Sequence, residues 1–466
     1  MSLPMSWTVS PLSNLLDQIV GGGTPSKAVP ANFMGKVPFM TVKDMKARFI
    51  ADTIDHITED AVESSATTKI PADTLIVAAR MSLGKIVRPS VEVAINQDLK
   101  ALFPSQGIDK TYIEYFWRFK SDLIQSKGTG TTVKGIRVED IENLQTPLAP
   151  ENEQCRIAKK LDNILSRVDA LNDCLNRIAP LLKRFRQSIL TTATSGGLTA
   201  DWREINNFGL ASSFFPIYGS LPSNWNVVKI HELKSIDKYS LAIGPFGSNL
   251  RKSDYSAQGV PLVFVREIRA KSFGKERTKY ISLEKSLSLN AHTVSSGDIL
   301  LTKMGDPPGD VAIYPKGLSD AVITADCIKL KVNSVIACNE YIAYALESSA
   351  FKSVFMTAVA GVAQQKVSLA RFRDLPLALP PVQEQTEIVR RVEILFAYAD
   401  RLEARLQTAR TAADRLTPAL LAKAFRGELV PQDPSDEPAA ELLRRLREAR
   451  GTEVSAKPKR GRKPVA

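Results

Sequence analysis

At 466 residues the chain is long enough for two or three hydrophobic cores, and its 44% hydrophobic and 24% charged residues are typical of folded domains. Its 62 lysines and arginines outnumber its 50 acidic residues, and the net charge of +12 favours a polyanionic partner such as nucleic acid over a surface that is basic only for solubility. Four cysteines in a chain of this size exclude a disulfide scaffold. A zinc site is not expected, because the cysteines form no Cys-x-x-Cys pair and the three histidines are scattered.

The chain shows no sign of membrane association or export. No apolar run approaches the roughly 20 residues that cross a bilayer. The first residues, MSLPMSWTVS, lack the basic-then-apolar pattern of an export signal. We therefore expect a cytoplasmic protein without a membrane partner.

The first part of the chain predicts a mixed α/β domain. Segments rich in β-branched residues predict strands at VPFMTV (37–42), TLIVAA (74–79) and VEVAIN (91–96). TYIEYFWRFKSDLI (111–124) predicts a helix with one apolar face, formed by Tyr112, Tyr115, Phe116, Phe119 and Leu123. Such a stripe is more often part of a core than a platform for stacked bases, so we assign these residues to the core.

Two long helices are predicted by apolar residues that alternate spacings of four and three, the pattern of a coiled-coil seam. The first seam comprises Ile157, Leu161, Ile164, Val168, Leu171, Leu175, Ile178, Leu182, Phe185 and Ile189. The second comprises Ile388, Val392, Leu395, Ala399, Leu402, Leu406, Ala409, Ala413, Leu416 and Leu420. Pro180 and Pro418 lie within these seams and predict a kink or a restart in each helix.

An internal repeat sets the overall organisation. LAPENEQCRIAKKLDNILSRVDAL, from Leu148, matches LPPVQEQTEIVRRVEILFAYADRL, from Leu379, at a constant offset of 231 residues. Fainter matches precede it, since Trp7 corresponds to Trp225 and Tyr112 to Tyr341. We therefore predict an α/β protein with a pseudo-two-fold repeat, in which two mixed α/β domains are joined by two long antiparallel coiled-coil helices.

The repeat and the seams give predicted domain bounds. A first variable domain spans 1–148, a central helix 149–196, a linker 197–220, a second variable domain 221–380, a C-terminal helix 381–429 and a tail 430–466. In the tail, SDEPAAELLRRLREAR (435–450) predicts a short helix capped by Ser435. The final KPKRGRKPVA predicts a disordered basic end that is similar to an AT-hook or serves as a plain phosphate-binding tail.

One motif suggests catalysis. Asp306-Pro307-Pro308 resembles the start of the Asp-Pro-Pro-aromatic motif of DNA amino-methyltransferases, so a stand-alone methyltransferase is the alternative interpretation. Gly309 follows instead of the aromatic residue that would stack on a flipped base. Gly309 also aligns in the repeat with Gly84, which predicts a hairpin or loop between two strands. The chain has two glycine-rich stretches, at 21–26 and 243–247, and neither has the strand–turn–helix context of a cofactor site.

The repeated motif carries a resemblance. Pro150-x-x-Glu153-Gln154-x-x-Ile157 and its second copy from Pro381 each open a long helix. GGGTPSK (21–27), GTGTTVKGI (128–136), AGVAQQKVS (360–368) and FRGEL (425–429) accompany them. In order, spacing and duplication, residues 1–430 resemble the specificity subunit of a type I restriction–modification system.

That resemblance implies a non-catalytic DNA-binding subunit. Each variable domain would be a target recognition domain for one half of a bipartite site, and the helices would set the spacer and dock two modification (methyltransferase) subunits. The chain would bind no cofactor itself. S-adenosylmethionine would belong to the modification subunits, and ATP and Mg²⁺ to restriction/translocase subunits that join the complex.

Polar residues in the glycine-containing loops are the candidates for contact with double-stranded DNA. In the first domain we predict Thr24, Lys27, Lys43, Arg80, Ser82, Lys85, Thr132 and Lys134. In the second we predict Arg251, Lys252, Arg266, Lys303, Asp306, Gln364, Gln365 and Lys366. Gln364 or Gln365 could pair with adenine, Asp306 could accept a hydrogen bond from cytosine, and Lys303 could bind a phosphate.

Overall fold

The computed structural model describes residues 3–130, 134–208, 211–275, 277–361 and 365–456. The chain divides into two compact units. Unit 1 comprises Met1–Leu175 with Thr408–Ala466, and unit 2 comprises Asn176–Gln407. None of the helices in the described ranges combines the length and the apolar composition of a membrane span.

Unit 1 is built on two main sheets. Its strands, β1 to β11 in chain order, are Thr8–Pro11, Leu16–Gly21, Val37–Met40, Phe49–Ile50, Asp55–Ile57, Thr68–Ile70, Leu75–Ala78, Ile86–Pro89, Val93–Ile95, Leu99–Pro104 and Gln145–Leu148. One sheet has the order β2-β10-β7-β8-β4 and the other β5-β3-β9-β6, while β1 pairs with β11. The three segments predicted as strands are β3, β7 and β9, each shorter than predicted.

Short helices cover these sheets. They are α1 to α4, at Glu59–Glu63, Lys110–Phe119, Ser121–Ser126 and Val138–Glu142. Tyr112, Tyr115 and Phe116 are buried in the unit 1 core, as predicted from their spacing. Leu123 is 43% exposed, so its assignment to the core was wrong. The helix ends at Phe119 and a new one begins at Ser121, which shifts Leu123 off the apolar face.

The first long helix, α5, spans Glu151–Thr194 and contains Pro180 without interruption. It is followed by α6 at Ala200–Ile205, inside the predicted linker. The linker also forms the hairpin of β12 and β13, Ser212–Phe215 and Gly219–Pro222. The second half of the chain thus begins with ordered structure that packs through Phe215 and Tyr218 against the unit 2 core.

Unit 2 repeats the architecture of unit 1. Strands β14 to β24 are Asn226–Lys229, Leu241–Ile243, Tyr255–Ser256, Val260–Val263, Lys279–Ile281, Thr293–Val294, Ile299–Thr302, Val311–Ile313, Ala321–Ile323, Cys327–Leu330 and Pro376–Leu379. Helices α7 to α11 are Val265–Ala270, Leu283–Ser288, Asn339–Glu347, Ser349–Ala358 and Leu369–Arg373. The sheet orders are β15-β23-β20-β21 and β16-β18-β17-β22-β19, and β14 pairs with β24.

The two sets of sheets correspond strand by strand. The antiparallel run β2-β10-β7-β8 matches β15-β23-β20-β21, and the parallel pair of β3 with β9 matches that of β17 with β22. Unit 1 adds β4 at one edge and unit 2 adds β16. The predicted α/β class and internal repeat are confirmed.

The second long helix, α12, spans Val382–Ala424 and contains Pro418 without interruption. In unit 1 the start of α5, at Ile157, shares a hydrophobic cluster with the end of α12, at Leu421. In unit 2 the end of α5, at Ile189, shares a cluster with the start of α12, at Ile388. The pairing is therefore antiparallel within each unit, as predicted, although Leu171 is 43% exposed and the seam is not buried throughout.

The tail packs on unit 1. Helix α13 spans Ala439–Ala456, so the predicted cap at Ser435 was wrong. The Ser435 hydroxyl donates instead to Asp433, at 2.7 Å. Leu442 and Leu443 join the unit 1 core. The basic segment from residue 457, including the AT-hook-like stretch, lies outside the described residues.

Candidate nucleic-acid interface

In unit 1 four candidates lie at the hairpin between β7 and β8, namely Arg80, Ser82, Lys85 and Lys134. The Met81 amide donates to the Lys134 carbonyl at 3.0 Å, and the Ile136 amide donates to the Ala79 carbonyl at 2.9 Å. Gly84 has a φ of +87°, and a Cβ there would lie 2.3 Å from the Ser121 hydroxyl oxygen, so the turn requires glycine. The segments that contain Met81 and Lys134, which are distant in the sequence, therefore form one loop surface.

That surface presents cations to solvent. Ser82, Lys85 and Lys134 line one shallow pocket. The Arg80 side chain is 58% exposed and lies 4.0 Å from the Asp98 carboxylate. The Lys85 ammonium donates to the Met45 carbonyl at 3.2 Å, which ties the hairpin to the turn that carries the exposed Lys43.

The glycine-rich start of the chain adjoins the same region. The Thr24 hydroxyl donates to the Gln97 side-chain oxygen at 2.5 Å. The next residue, Asp98, accepts the Ala79 amide through its carbonyl at 2.7 Å. Lys27 is exposed. Thr132 lies outside the described residues.

Unit 2 builds its β20–β21 hairpin in the same way. The Val367 amide donates to the Lys303 carbonyl at 3.1 Å, and the Gly305 amide donates to the Gln365 carbonyl at 3.4 Å. Gly309 has a φ of +100°, the same left-handed conformation as Gly84. Asp306-Pro307-Pro308 is thus part of a turn between two antiparallel strands, which confirms the predicted hairpin.

The candidates on this hairpin differ in exposure. Asp306 and Lys366 are exposed, and Gln365 is half-buried. Gln364 lies outside the described residues. Lys303 is buried, its ammonium donates to the Ala325 carbonyl at 3.1 Å, and it lies 5.0 Å from the centre of the Phe246 ring.

The position of Lys303 follows from the repeat. Its amide donates to the Asp326 carbonyl at 2.7 Å, as the Ala79 amide donates to Asp98. Lys303 is therefore the counterpart of the buried Ala79, at a point where the strand turns its side chain inward. A phosphate contact by Lys303 stays a prediction, and it requires the buried ammonium to become accessible to DNA.

The remaining unit 2 candidates lie on other segments. Arg251 and Lys252 are exposed, and the Arg251 amide donates to the Asp254 carboxylate at 2.7 Å. The Arg266 guanidinium stacks 4.4 Å from the centre of the Phe264 ring. Arg266 also lines a surface pocket with Lys275 and Arg277, two cations that the sequence analysis did not select.

Arg269 is a further exposed cation beside this hairpin that is absent from the residues predicted to contact DNA. It lies one turn after Arg266 on α7, and its Nε donates to the Asp310 carboxylate at 2.8 Å. This ion pair holds α7 against the end of the β20–β21 hairpin. The helical spacing of three residues from Arg266 was the available signal.

The repeated Glu-Gln motif is buried in both units and forms a clamp. The Trp7 indole donates to Glu153 at 3.0 Å, and the Trp225 indole donates to Glu384 at 2.9 Å. Both carboxylates are almost fully buried. Each clamp therefore ties the residue before the first strand of a domain to the start of a long helix.

The glutamines complete the two clamps. The Gln154 oxygen accepts the Asp109 amide at 3.0 Å, and the Gln385 oxygen accepts the Cys338 amide at 2.8 Å. Asp109 and Cys338 are the residues immediately before α2 and α9. The motif thus has an architectural role, since it orients each loop-bearing domain on its helix. Across the described residues, no group of three histidine, cysteine or acidic side chains is arranged to hold a metal ion.

Comparisons with known proteins agree with this architecture. The family model described as the type I restriction modification DNA specificity domain matches residues 4–179 and 222–409. The chain is 27% identical over 493 residues to the type I restriction enzyme EcoKI specificity subunit of Escherichia coli K12, with 98% of each chain covered. It is also 27% identical over 494 residues to the StySPI specificity subunit of Salmonella potsdam, again with 98% of each covered.

Solved structures share the fold. One solved chain comes from a structure that describes complex assembly and conformational transition of the type I R-M system. It aligns with a TM-score of 0.66 at 16% identity, and the alignment covers 92% of this chain and 100% of the solved one. The HsdS subunit from Thermoanaerobacter tengcongensis aligns with a TM-score of 0.55 at 16% identity, covering 92% and 99%. Because the family model matches most of both repeats and more than half of the chain, the chain belongs to the type I restriction-modification DNA specificity family.

Proposed function

We propose that this chain is the sequence-specific DNA-binding subunit of a type I restriction–modification complex and has no catalytic role of its own. Each unit reads one half of a bipartite target through its hairpin loops. The observation that carries this proposal is the pair of hairpins, β7–β8 and β20–β21, which share backbone hydrogen bonds but differ in the polar residues they expose. A common scaffold with different side chains suits two half-sites of different sequence.

The exposed and half-buried candidates include two groups with different roles. Lys27, Lys43, Lys85 and Lys134 in unit 1, with Lys252 and Lys366 in unit 2, would bind phosphates. Arg80, Asp306 and Gln365 have side chains suited to base edges, because guanidinium, carboxylate and amide groups discriminate donors from acceptors in the major groove.

The finer assembly belongs to the same proposal. The long helices α5 and α12 would set the spacer and dock two modification subunits, which would carry S-adenosylmethionine. Restriction/translocase subunits with ATP and Mg²⁺ would complete the complex in the cytoplasm, where its DNA lies. The stand-alone methyltransferase is not supported, because its Asp-Pro-Pro motif forms a hairpin turn without a following aromatic residue.

Exchange of residues 221–380 for the corresponding domain of another family member tests the assignment of half-sites. Mapping methylated adenines in a host with the complete system should show one new half-sequence, while the half-sequence read by unit 1 stays. Reciprocal exchange of residues 1–148 is the matched control. A change in both halves after either exchange would contradict the proposal.

Matched insertions test the role of the helices. Seven residues added after Leu175 in α5 and after Gln407 in α12 keep the seam in phase and lengthen each helix by about 10 Å, close to three base pairs. The mapped spacer should lengthen while both half-sequences stay. Insertions of five residues at the same points break the phase and should abolish methylation. A spacer unchanged by the seven-residue insertions would remove this part of the proposal.

A further inference from the structure

Met81 occupies an unfavourable position at the tip of the β7–β8 hairpin. Its φ is +64°, in the left-handed region that residues with a Cβ rarely adopt. Its side chain is 59% exposed, so packing in a core does not account for it. A flexible apolar side chain thus stands in solvent on a strained backbone.

The surrounding hydrogen bonds hold Met81 in this conformation. Its amide donates to the Lys134 carbonyl at 3.0 Å, and the Ser82 amide donates to the Arg80 carbonyl at 2.8 Å. On the N-terminal side of Met81, the backbone of Arg80 forms an isolated antiparallel β-bridge with Gly135. The backbone is therefore held on both sides of Met81, and the direction of its Cα–Cβ bond is held with it.

The repeat shows what the fold alone requires here. The counterpart of Met81 in unit 2 is Gly305, whose amide donates to the Gln365 carbonyl as Met81 donates to Lys134. Gly305 is outside the left-handed region, so the corresponding hairpin of unit 2 makes this hydrogen bond without the conformation of Met81. Strain that the fold does not need is commonly retained for function.

The neighbours of Met81 indicate what it contacts. Lys85 and Lys134 line one shallow pocket with Met81, Arg80 precedes it in the chain, and all three cations are exposed. Cations attract phosphates, whereas a methionine contributes an apolar surface of the kind that meets a thymine methyl or a base edge. Exposed cations beside one apolar side chain suit a nucleic-acid duplex better than an apolar protein surface.

We propose that Met81 makes an apolar contact with a base in the half-site read by unit 1, and so contributes to sequence discrimination. This inference rests on the proposed function. Met81 carries no charge, so it should add affinity for the correct sequence without changing the number of phosphates bound.

The experiment compares M81G and M81A with wild type in the assembled modification complex. Affinity is measured for a duplex with both half-sites and for one with the unit 1 half-site scrambled, each at several salt concentrations. M81G should bind the complete site about tenfold more weakly and the scrambled duplex within about twofold of wild type, with the salt slope unchanged. M34A is the control, because Met34 is 80% exposed elsewhere in unit 1.

The unfolding temperature of M81G gives a second readout, which should not decrease although the affinity for DNA does. Because glycine tolerates positive φ, M81G should unfold at the same temperature as wild type or higher, so weaker binding cannot be ascribed to misfolding. Equal affinity of M81G and wild type, or equal loss on both duplexes, would overturn the inference alone. Failure of the wild-type complex to discriminate the two duplexes would overturn the proposed function as well.

Discussion

The two clamps are built alike but neutralised differently. Glu384 in unit 2 forms a buried ion pair with Arg203 at 2.5 Å and accepts the Thr199 hydroxyl at 2.8 Å. Glu153 in unit 1 meets the neutral amide of Gln432 at 2.6 Å instead. Both carboxylates also accept a hydrogen bond from a tryptophan. The tryptophan is thus the partner that the two clamps share, and the second partner, Arg203 or Gln432, differs between them.

The difference has an electrostatic consequence. Burial raises the pKa of the Glu153 carboxyl, although the hydrogen bonds from Trp7 and Gln432 act against it. The partner of each carboxylate comes from the segment after a long helix, namely the linker for Glu384 and the tail for Glu153. A buried carboxylate in a domain joint is therefore tolerated with or without a cation, at a different cost in each unit.

The joints differ a second time where the domains meet α5 and α12. In unit 1 the fully buried Glu114 binds Arg48 at 2.7 Å, Arg88 at 2.8 Å and Arg118 at 2.7 Å. Arg48 also binds Asp162 of α5 at 2.6 Å.

Unit 2 has no acidic residue at the position that corresponds to Glu114. That position, two residues after Tyr341, is the buried Ala343.

The largest expected effect comes from Glu114→Gln. The change removes the anion from three guanidinium groups in a buried site, which typically costs about 3–5 kcal/mol. Hydrogen exchange of α2 and β8 should accelerate, while that of unit 2 stays unchanged. The exposed Glu139 of α4 supplies the control variant Glu139→Gln. Equal exchange in both variants would show that the network does not stabilise the joint.

Breaking the clamps separately should give the next effect. Glu384→Gln leaves the buried Arg203 without its anion and should cost unit 2 about 3 kcal/mol or more. Glu153→Gln should cost unit 1 less than about 1 kcal/mol, because the Gln432 amide can rotate to offer its oxygen. Exchange rates of peptides from each unit measure both losses. Similar losses in the two units would mean that the cation is not what distinguishes the clamps.

The double variant Glu384→Gln with Arg203→Gln sharpens the same comparison. The double variant places two neutral amides in the unit 2 clamp, and unit 2 should be more stable in it than in either single variant. The neutral Gln432 plays the corresponding part in unit 1. We expect a coupling energy of about 2 kcal/mol between the two changes in a double-mutant cycle. Additive losses would place the effect of Glu384→Gln outside its contact with Arg203.

The smallest effect is a difference in pH dependence. Because the folded-state pKa of Glu153 is raised, the folded state holds this proton more tightly than the unfolded state. Its contribution to the stability of unit 1 should therefore decrease as pH rises from the ordinary glutamate pKa of 4.5 through the raised value. Glu153→Gln should remove this part of the slope. Hydrogen exchange of unit 1, corrected for intrinsic rates, checks it between about pH 4 and pH 7.

Much of the candidate surface could be predicted, and its accessibility could not. The glycines at 84 and 309 marked both hairpins, because only a left-handed turn makes glycine necessary at each. Arg80 and Lys303 looked equivalent as cations beside these turns. One is exposed and the other buried, because a shift of one residue along a strand reverses the face of the sheet.

The sequence by itself determined the repeat, the antiparallel helices and the position of the hairpins, since these follow from periodicity and from duplicated motifs. Only the tertiary structure decided what the Glu-Gln motif does and which residues neutralise it. The Glu153–Gln432 contact joins residues 279 positions apart, and Arg203 reaches Glu384 across 181. Such pairs depend on how the chain packs, and no local pattern records them. The same holds for Met81, whose exposure and strain arise from a loop that a distant segment holds in place.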